Sequence, residues 1–271
     1  MKDSSAKMEV LHMSELMLDD LSIYRGAPYK ITDKITITQP TLNQIADMGE
    51  QQYFSAVQHI CSTSSDMKWP LHQAGYDWEK VDDYQMFMMI ASSITPEQTY
   101  LILGDIDLSK LSIHQKKDSD DKVLVDLDSG VYIDEMIYLK MVNYLRKIHG
   151  FKRNVITTES EFSHDMLIEV EKNDIEKAKN KPYKSFLLPL ISSVKARQGY
   201  TKETIFDMQI AEFLDEVNRL QIIVNTDALL GGAYSGMMDT KKIKKSEFNW
   251  MRDISVNDDR PKGQTINEGT F

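Results

Sequence analysis

Apolar residues recur every three or four positions over much of the chain, a spacing that predicts a mainly helical protein. The longest such series, Ile210–Val224, predicts a helix of about six turns. Thr41 and Gln44 have the spacing of a capping box and predict the start of a helix that continues to about residue 62. Another helix is predicted over 163–180. Its apolar stripe consists of Leu167, Val170 and Ile175.

Alternation of apolar and polar residues predicts a minor β component. Short strands are predicted within 108–133, where charged residues at 116–121 and the Asp128–Gly130 segment predict turns. A further strand is predicted at 30–38, and Pro40 ends it because proline has no N–H to donate to a ladder. The expected fold is therefore mainly α, or α+β with a minor β-hairpin or meander, in a bundle-like arrangement.

Changes in polarity along the chain predict its domain organisation. Residues 1–22 have a weak helical pattern and are predicted to form a flexible arm. A helical domain that contains the small β element is predicted over 23–150, and a second helical domain over 163–252. The residues between them, 152–162, are predicted to be a polar linker. Residues 253–271 are nearly devoid of apolar side chains and are predicted to be disordered.

Charge and composition narrow the class of partner. The net charge is −10, from 42 acidic and 32 basic residues, and such a surface repels a phosphate backbone. We therefore expect no nucleic-acid partner. No run of 18 apolar residues is present, so no membrane partner is expected either. The single cysteine, Cys61, excludes an internal disulfide framework and favours a reducing compartment such as the cytoplasm.

Motifs that would carry catalysis or bind a metal are incomplete. The six histidines are dispersed, and Asp105–Ser109 begins like a calcium loop but lacks its later glycine and glutamate. Gly231–Gly236 has neither a phosphate-loop nor a dinucleotide-binding pattern and is predicted to be a turn at a helix end. No catalytic residue, cofactor or metal is therefore expected. A hydrolase that uses Asp105, Asp107 and His114 remains the enzymatic alternative.

Sixteen methionines are the unusual feature of the composition. Thioether side chains fill irregular gaps in a core and also form adaptable binding surfaces, so the feature permits either use. The candidate partner-binding residues are Met86, Met88, Met89, Phe186, Leu187, Leu190, Tyr234, Met237 and Trp250. The alternative is that these side chains pack in the core.

Three stretches resemble proteins from the morphogenesis region of long-tailed phages and prophages of Gram-positive bacteria. The first combines 24–31 with 36–42, the second is 181–190, and the third runs from 228–239 through 249–252. Some proteins of that group are tail assembly chaperones.

The resemblance, which extends from about residue 22 to residue 252, implies a non-enzymatic role in tail morphogenesis. Tail assembly chaperones are largely helical and associate with the tape measure protein, which they keep soluble while tail tube subunits polymerise around it. Other tail proteins and self-association stay open as further contacts. The alternative that the resemblance leaves is a structural component of the virion, such as a neck, tail-completion or baseplate subunit.

Overall fold

A computed structural model describes residues 19–116, 121–179, 181–236, 241 and 243–254 of the protein. Over these residues it contains eleven α-helices and two small antiparallel sheets, which confirms a mainly α fold with a minor β component. Most of the predicted N-terminal arm and of the predicted C-terminal tail lies outside the described residues.

The helices follow one another with short connections. They are α1 (Asp20–Tyr24), α2 (Leu42–Met48), α3 (Glu50–Cys61), α4 (Lys68–Gln73), α5 (Asp83–Ile90), α6 (Pro96–Leu103), α7 (Glu135–His149), α8 (Glu161–Ala178), α9 (Leu187–Gln198), α10 (Lys202–Asp207) and α11 (Ile210–Tyr234). Short 3-10 helices span Ser64–Asp66, Ala91–Ser93, Leu108–Lys110 and Lys245–Phe248.

The strands form a hairpin and a meander. They are β1 (Tyr29–Lys30), β2 (Thr36–Ile37), β3 (Ser112–Gln115), β4 (Lys122–Asp126) and β5 (Val131–Ile133). Strand β1 pairs with β2, and the second sheet has the order β3-β4-β5, all antiparallel. The β element predicted within 108–133 is therefore present, although the turn before β4 lies partly outside the described residues.

The single strand predicted at 30–38 is in fact the hairpin of β1 and β2. Its turn forms because the Thr32 hydroxyl accepts hydrogen bonds from the backbone N–H groups of Lys34 (3.3 Å) and Ile35 (3.0 Å). A hydroxyl that binds the backbone two and three residues ahead offers the chain a turn in place of a ladder.

Helix ends follow local chemistry. Thr41 and Gln44 form the predicted capping box, with the Gln44 N–H donating to the Thr41 hydroxyl (3.2 Å) and the Thr41 N–H donating to the Gln44 amide oxygen (2.9 Å). The helix predicted to continue to about residue 62 is interrupted at Gly49, where a φ of 99° separates α2 from α3. Such a φ is accessible to glycine because it lacks a Cβ.

The turn predicted at Gly231–Gly236 is largely helical. Helix α11 continues through Gly231 and Gly232 to Tyr234, and it is followed by Gly236 with a φ of 70°. At 25 residues, α11 is about seven turns long, one turn more than its apolar series predicts.

The main core is shared by the N-terminal and C-terminal parts of the chain. Eleven of the 15 residues of α7 are buried, which places this helix at the centre of the core. The same cluster includes Ile45 and Phe87 from the N-terminal part and Leu187, Val194 and Phe213 from the C-terminal part. The division into two helical domains therefore stays a prediction. Described residues from both predicted domains pack in the same apolar cluster.

A smaller apolar cluster lies beside the main core. It joins α4, α5, α8 and the turn between α4 and α5 through Leu71, Trp78, Val81, Met86 and Ile168. The predicted polar linker at 152–162 lies against this region. The Thr63 hydroxyl donates to the Asn154 carbonyl (2.7 Å), and the Ile156 N–H donates to the Ser65 hydroxyl (3.0 Å). Backbone groups of the predicted linker thus attach it by hydrogen bonds to side chains of the N-terminal part.

Candidate interaction surface

Five of the predicted partner-binding residues lie in or against the core. Met86 and Met88 of α5 are buried, as is Leu187 at the start of α9, while Phe186 and Leu190 are half-buried beside the main cluster. Their apolar surface is used largely within the monomer. These residues therefore contribute mainly to packing in this conformation.

Three other predicted residues present apolar surface to solvent. Met89 is on the outer side of α5, Tyr234 is at the end of α11, and Trp250 follows the last 3-10 helix. The Trp250 carbonyl accepts a hydrogen bond from the Arg219 guanidinium (2.9 Å), so this backbone is fixed against α11 while the indole stays half exposed. Met237 lies outside the described residues.

The most regular exposed apolar surface is on α8 and includes residues absent from the predicted set. Phe162, Met166 and Val170 are 77%, 52% and 47% exposed. They stand four residues apart, so they form one stripe along two turns of the helix. We call these three residues the α8 stripe.

The opposite face of α8 attaches the helix to the protein. Ile168 is buried and Leu167 is half-buried in the smaller cluster, and the Glu171 carboxylate lies 3.2 Å from the Lys68 ammonium. The predicted apolar stripe of this helix is therefore partly wrong, because Val170 faces solvent. Apolar residues spaced three or four positions apart indicate an apolar face of a helix. The spacing does not show whether that face or another one packs against the rest of the protein.

Acidic residues flank the α8 stripe. Because successive helical residues are about 100° apart, Asp165 and Glu169 lie along one edge of the stripe and Asp174 lies along the other. Helix α8 has six acidic and two basic residues, a net charge of −4 with His164 neutral. Lys172 lies 3.3 Å from Glu169 and Lys177 lies 3.9 Å from Asp174, so these lysines offset part of the charge. The surface around the stripe is still net negative, which suits an amphipathic helix with basic edges.

The residues of the enzymatic alternative do not form a cluster. The Asp107 carboxylate accepts from the Ser109 N–H (3.0 Å) and the Ser109 hydroxyl, and so completes a local turn. The His114 Nε2 lies 2.9 Å from the Ser112 hydroxyl on the same strand. Within the described parts of the chain, the one group of three candidate metal ligands is Asp77, Glu79 and His164.

None of the helices in the described part of the chain combines the length and the apolar character that a membrane span needs.

Residues 177–255 match the family model described as the YomV second domain, a phage-derived family. The matched segment contains α9, α10 and α11. Comparison with curated proteins and with solved structures gives no match. The predicted kinship to phage proteins is thus supported for less than a third of the chain.

Proposed function

We propose that the protein is a non-enzymatic phage morphogenesis factor, a tail assembly chaperone that binds helical segments of the tape measure protein. The observation that carries this proposal is the α8 stripe, a regular apolar surface exposed on a helix that is already attached by its other face. The match of residues 177–255 to a phage-derived family supports the phage context.

The recognition mode follows from the geometry of the stripe. An amphipathic helix buries its apolar face against another apolar strip through side chains spaced three and four residues apart. Full burial of a side chain such as Phe, Met or Val contributes about 1.5–3 kcal/mol, so three side chains provide a useful although modest affinity. A chaperone that must later release its partner requires modest affinity at each segment.

The charges around the stripe favour a basic partner over a second copy of the chain. Asp165 and Glu169 lie beside the stripe, and the whole chain carries a net charge of −10. Two such surfaces brought together would place like charges side by side, which is unfavourable. The partner we propose is therefore an amphipathic helical segment of the tape measure protein with lysine or arginine at its edges.

A double substitution on the stripe tests the proposal. The tape measure protein is co-expressed with the wild type, with Phe162→Asp/Met166→Asp, or with Leu127→Asp. Leu127 is an exposed apolar residue in the turn between β4 and β5, so it controls for general loss of surface apolarity. We expect the wild type and Leu127→Asp to keep the tape measure protein in the soluble fraction and the double variant to lose at least half of that effect.

Equal solubility of the tape measure protein with and without the wild type would contradict the chaperone function. Equal activity of the double variant and the wild type would exclude the α8 stripe as the binding surface. Mass spectrometry of purified particles separates the alternative, because abundant peptides from this chain would indicate a structural component of the virion.

A further inference from the structure

Three potential metal ligands from two distant segments converge at one edge of the smaller apolar cluster. Asp77 and Glu79 lie in the turn after α4, and His164 lies in the first turn of α8. Each offers one ligand atom, and these atoms all lie within 4.8 Å of one another. We propose that Asp77, Glu79 and His164 form a binding site for a divalent transition metal, with Zn²⁺ as the ion that fits the donor set.

The His164 imidazole is held in an orientation suited to a ligand. Its ring stacks on the buried Trp78 indole, with centroids 5.3 Å apart and planes 13° apart. Its Nδ1 lies 3.3 Å from the Asp165 carboxylate, and its Nε2 lies 3.3 Å from the Asp77 carboxylate. A carboxylate on one ring nitrogen fixes the tautomer and leaves the other nitrogen for the metal, as in carboxylate–histidine–zinc arrangements.

The two carboxylates are also oriented by neighbouring groups. Glu79 accepts hydrogen bonds through Oε1 from the Thr158 N–H (2.7 Å) and hydroxyl (3.0 Å). Asp77 accepts through Oδ1 from the Glu79 N–H (3.1 Å). A carboxylate has two oxygens with several lone pairs, so these bonds position each group and leave it capacity to bind a cation.

Lys80 is the competing cation at this site. Its ammonium lies 2.7 Å from Asp77 Oδ2, and its side chain is 82% exposed. An exposed lysine pair of this kind contributes little free energy, because water and salt screen it and because holding a long side chain in place costs entropy. A divalent ion can displace Lys80 from Asp77 at small cost, so removing Lys80 is expected to strengthen metal binding.

The donor set identifies the class of metal. One imidazole and two carboxylates, with water in the fourth position, are ordinary tetrahedral ligands for Zn²⁺. Mg²⁺ and Ca²⁺ favour sets composed of oxygen alone, so a site with an imidazole discriminates against them. The bound ion would join the turn after α4 to the start of α8, and through Thr158 it would also restrain the connection between α7 and α8.

Calorimetric titration of the full chain with ZnCl₂, without a histidine tag, tests the proposal. We expect one Zn²⁺ per chain for the wild type and no detectable heat from MgCl₂. His164→Asn and Asp77→Asn are each expected to weaken Zn²⁺ binding at least about tenfold, as loss of a ligand removes more than a supporting contact does. Lys80→Ala is expected to bind several-fold more tightly, and His114→Asn on β3 is the control that binds like the wild type.

Three outcomes of the same titrations would contradict the proposal. Far-UV circular dichroism of each variant establishes that it is folded before titration. A folded wild type that takes up no Zn²⁺ would overturn the site. If folded His164→Asn and Asp77→Asn both bind Zn²⁺ as tightly as the wild type does, the proposed site would also be wrong, since the ion would then bind elsewhere. Weaker binding by Lys80→Ala would contradict the role of Lys80 as a competitor.

Discussion

His149 is a buried histidine, and both of its ring nitrogens have hydrogen-bond partners when the ring is neutral. The Nδ1–H donates to the Leu145 carbonyl (2.8 Å), and Nε2 accepts from the Tyr53 hydroxyl (2.8 Å). Burial disfavours the imidazolium and lowers the pKa of His149 to about 4. The residue is therefore structural, and it makes the stability of the fold sensitive to acid.

We expect the free energy of unfolding to fall as the pH decreases from about 6.5 to about 4, by up to about 3 kcal/mol for His149 alone. The sign follows because the unfolded histidine binds a proton over this range while the folded one does not. His149→Gln removes this contribution, so the difference between wild type and variant should shrink as the pH falls.

Urea unfolding at several pH values measures the effect, with exposed His72→Gln as the control. A constant difference between wild type and His149→Gln from pH 7 to pH 4 would contradict the assignment of a neutral buried His149.

At the scale of single residues, local chemistry was predictable and burial was not. The capping box of Thr41 and Gln44 could be predicted from the sequence because both partners lie within one helical turn. The environment of His149 depends on Tyr53, which lies 96 positions away, so no local pattern predicts it. No local pattern predicts the convergence of His164 with Asp77 and Glu79 either, because His164 is also far from them in the chain.

Helix α8 is attached through a mixed apolar and ionic contact. The Lys68 ammonium and the Glu171 carboxylate are both largely buried, and the Glu171 carboxylate also accepts from the Lys68 N–H (3.1 Å). Burial raises the pKa of Glu171, while the charge of Lys68 opposes that shift. Removing one charge leaves the other buried without its counter-ion, which is strongly destabilising.

We expect Glu171→Gln to lower the free energy of unfolding by about 3 kcal/mol, because Lys68 then keeps a buried charge without a counter-charge. Glu169→Gln, two residues away on the same helix, should cost about 0.5 kcal/mol or less, because its pair with Lys172 is exposed. The Glu171 side chain is 15% exposed and that of Glu169 is 59% exposed. Guanidinium or urea unfolding of both variants checks this, and equal costs would contradict the buried pair.

At the scale of elements, the position of each helix was more predictable than its orientation. The long apolar series located α11 correctly within its observed range. For α8, the series Leu167, Val170 and Ile175 predicted a single apolar face, whereas the structure buries Ile168 and exposes Val170. Which face of an amphipathic helix is covered depends on the neighbours that it meets.

At the scale of the whole molecule, the described residues form one main core to which distant segments contribute. Leu187, Val194, Ile205 and Phe213, all within the segment that matches the phage-derived family, are buried in the same cluster as Ile45. The family-matched segment thus shares its apolar core with residues outside it. An isolated copy would expose those side chains to water.

We expect residues 177–255, expressed alone, to unfold without a cooperative thermal transition and to bind the dye ANS, because the core partners of α9, α10 and α11 are missing. Differential scanning calorimetry of this fragment and of the full chain measures the difference. A cooperative transition in the fragment would instead favour the predicted division into two helical domains.

The sequence by itself determined the helical class, the small β component and the positions of several helix ends, because these depend on side-chain periodicity and on hydrogen bonds within a turn. Only the tertiary structure decided which apolar residues are covered. It buried Met86 and left Phe162 exposed, and it brought His164 beside Asp77. Burial and convergence arise from contacts between residues far apart in the chain, and local patterns do not encode them.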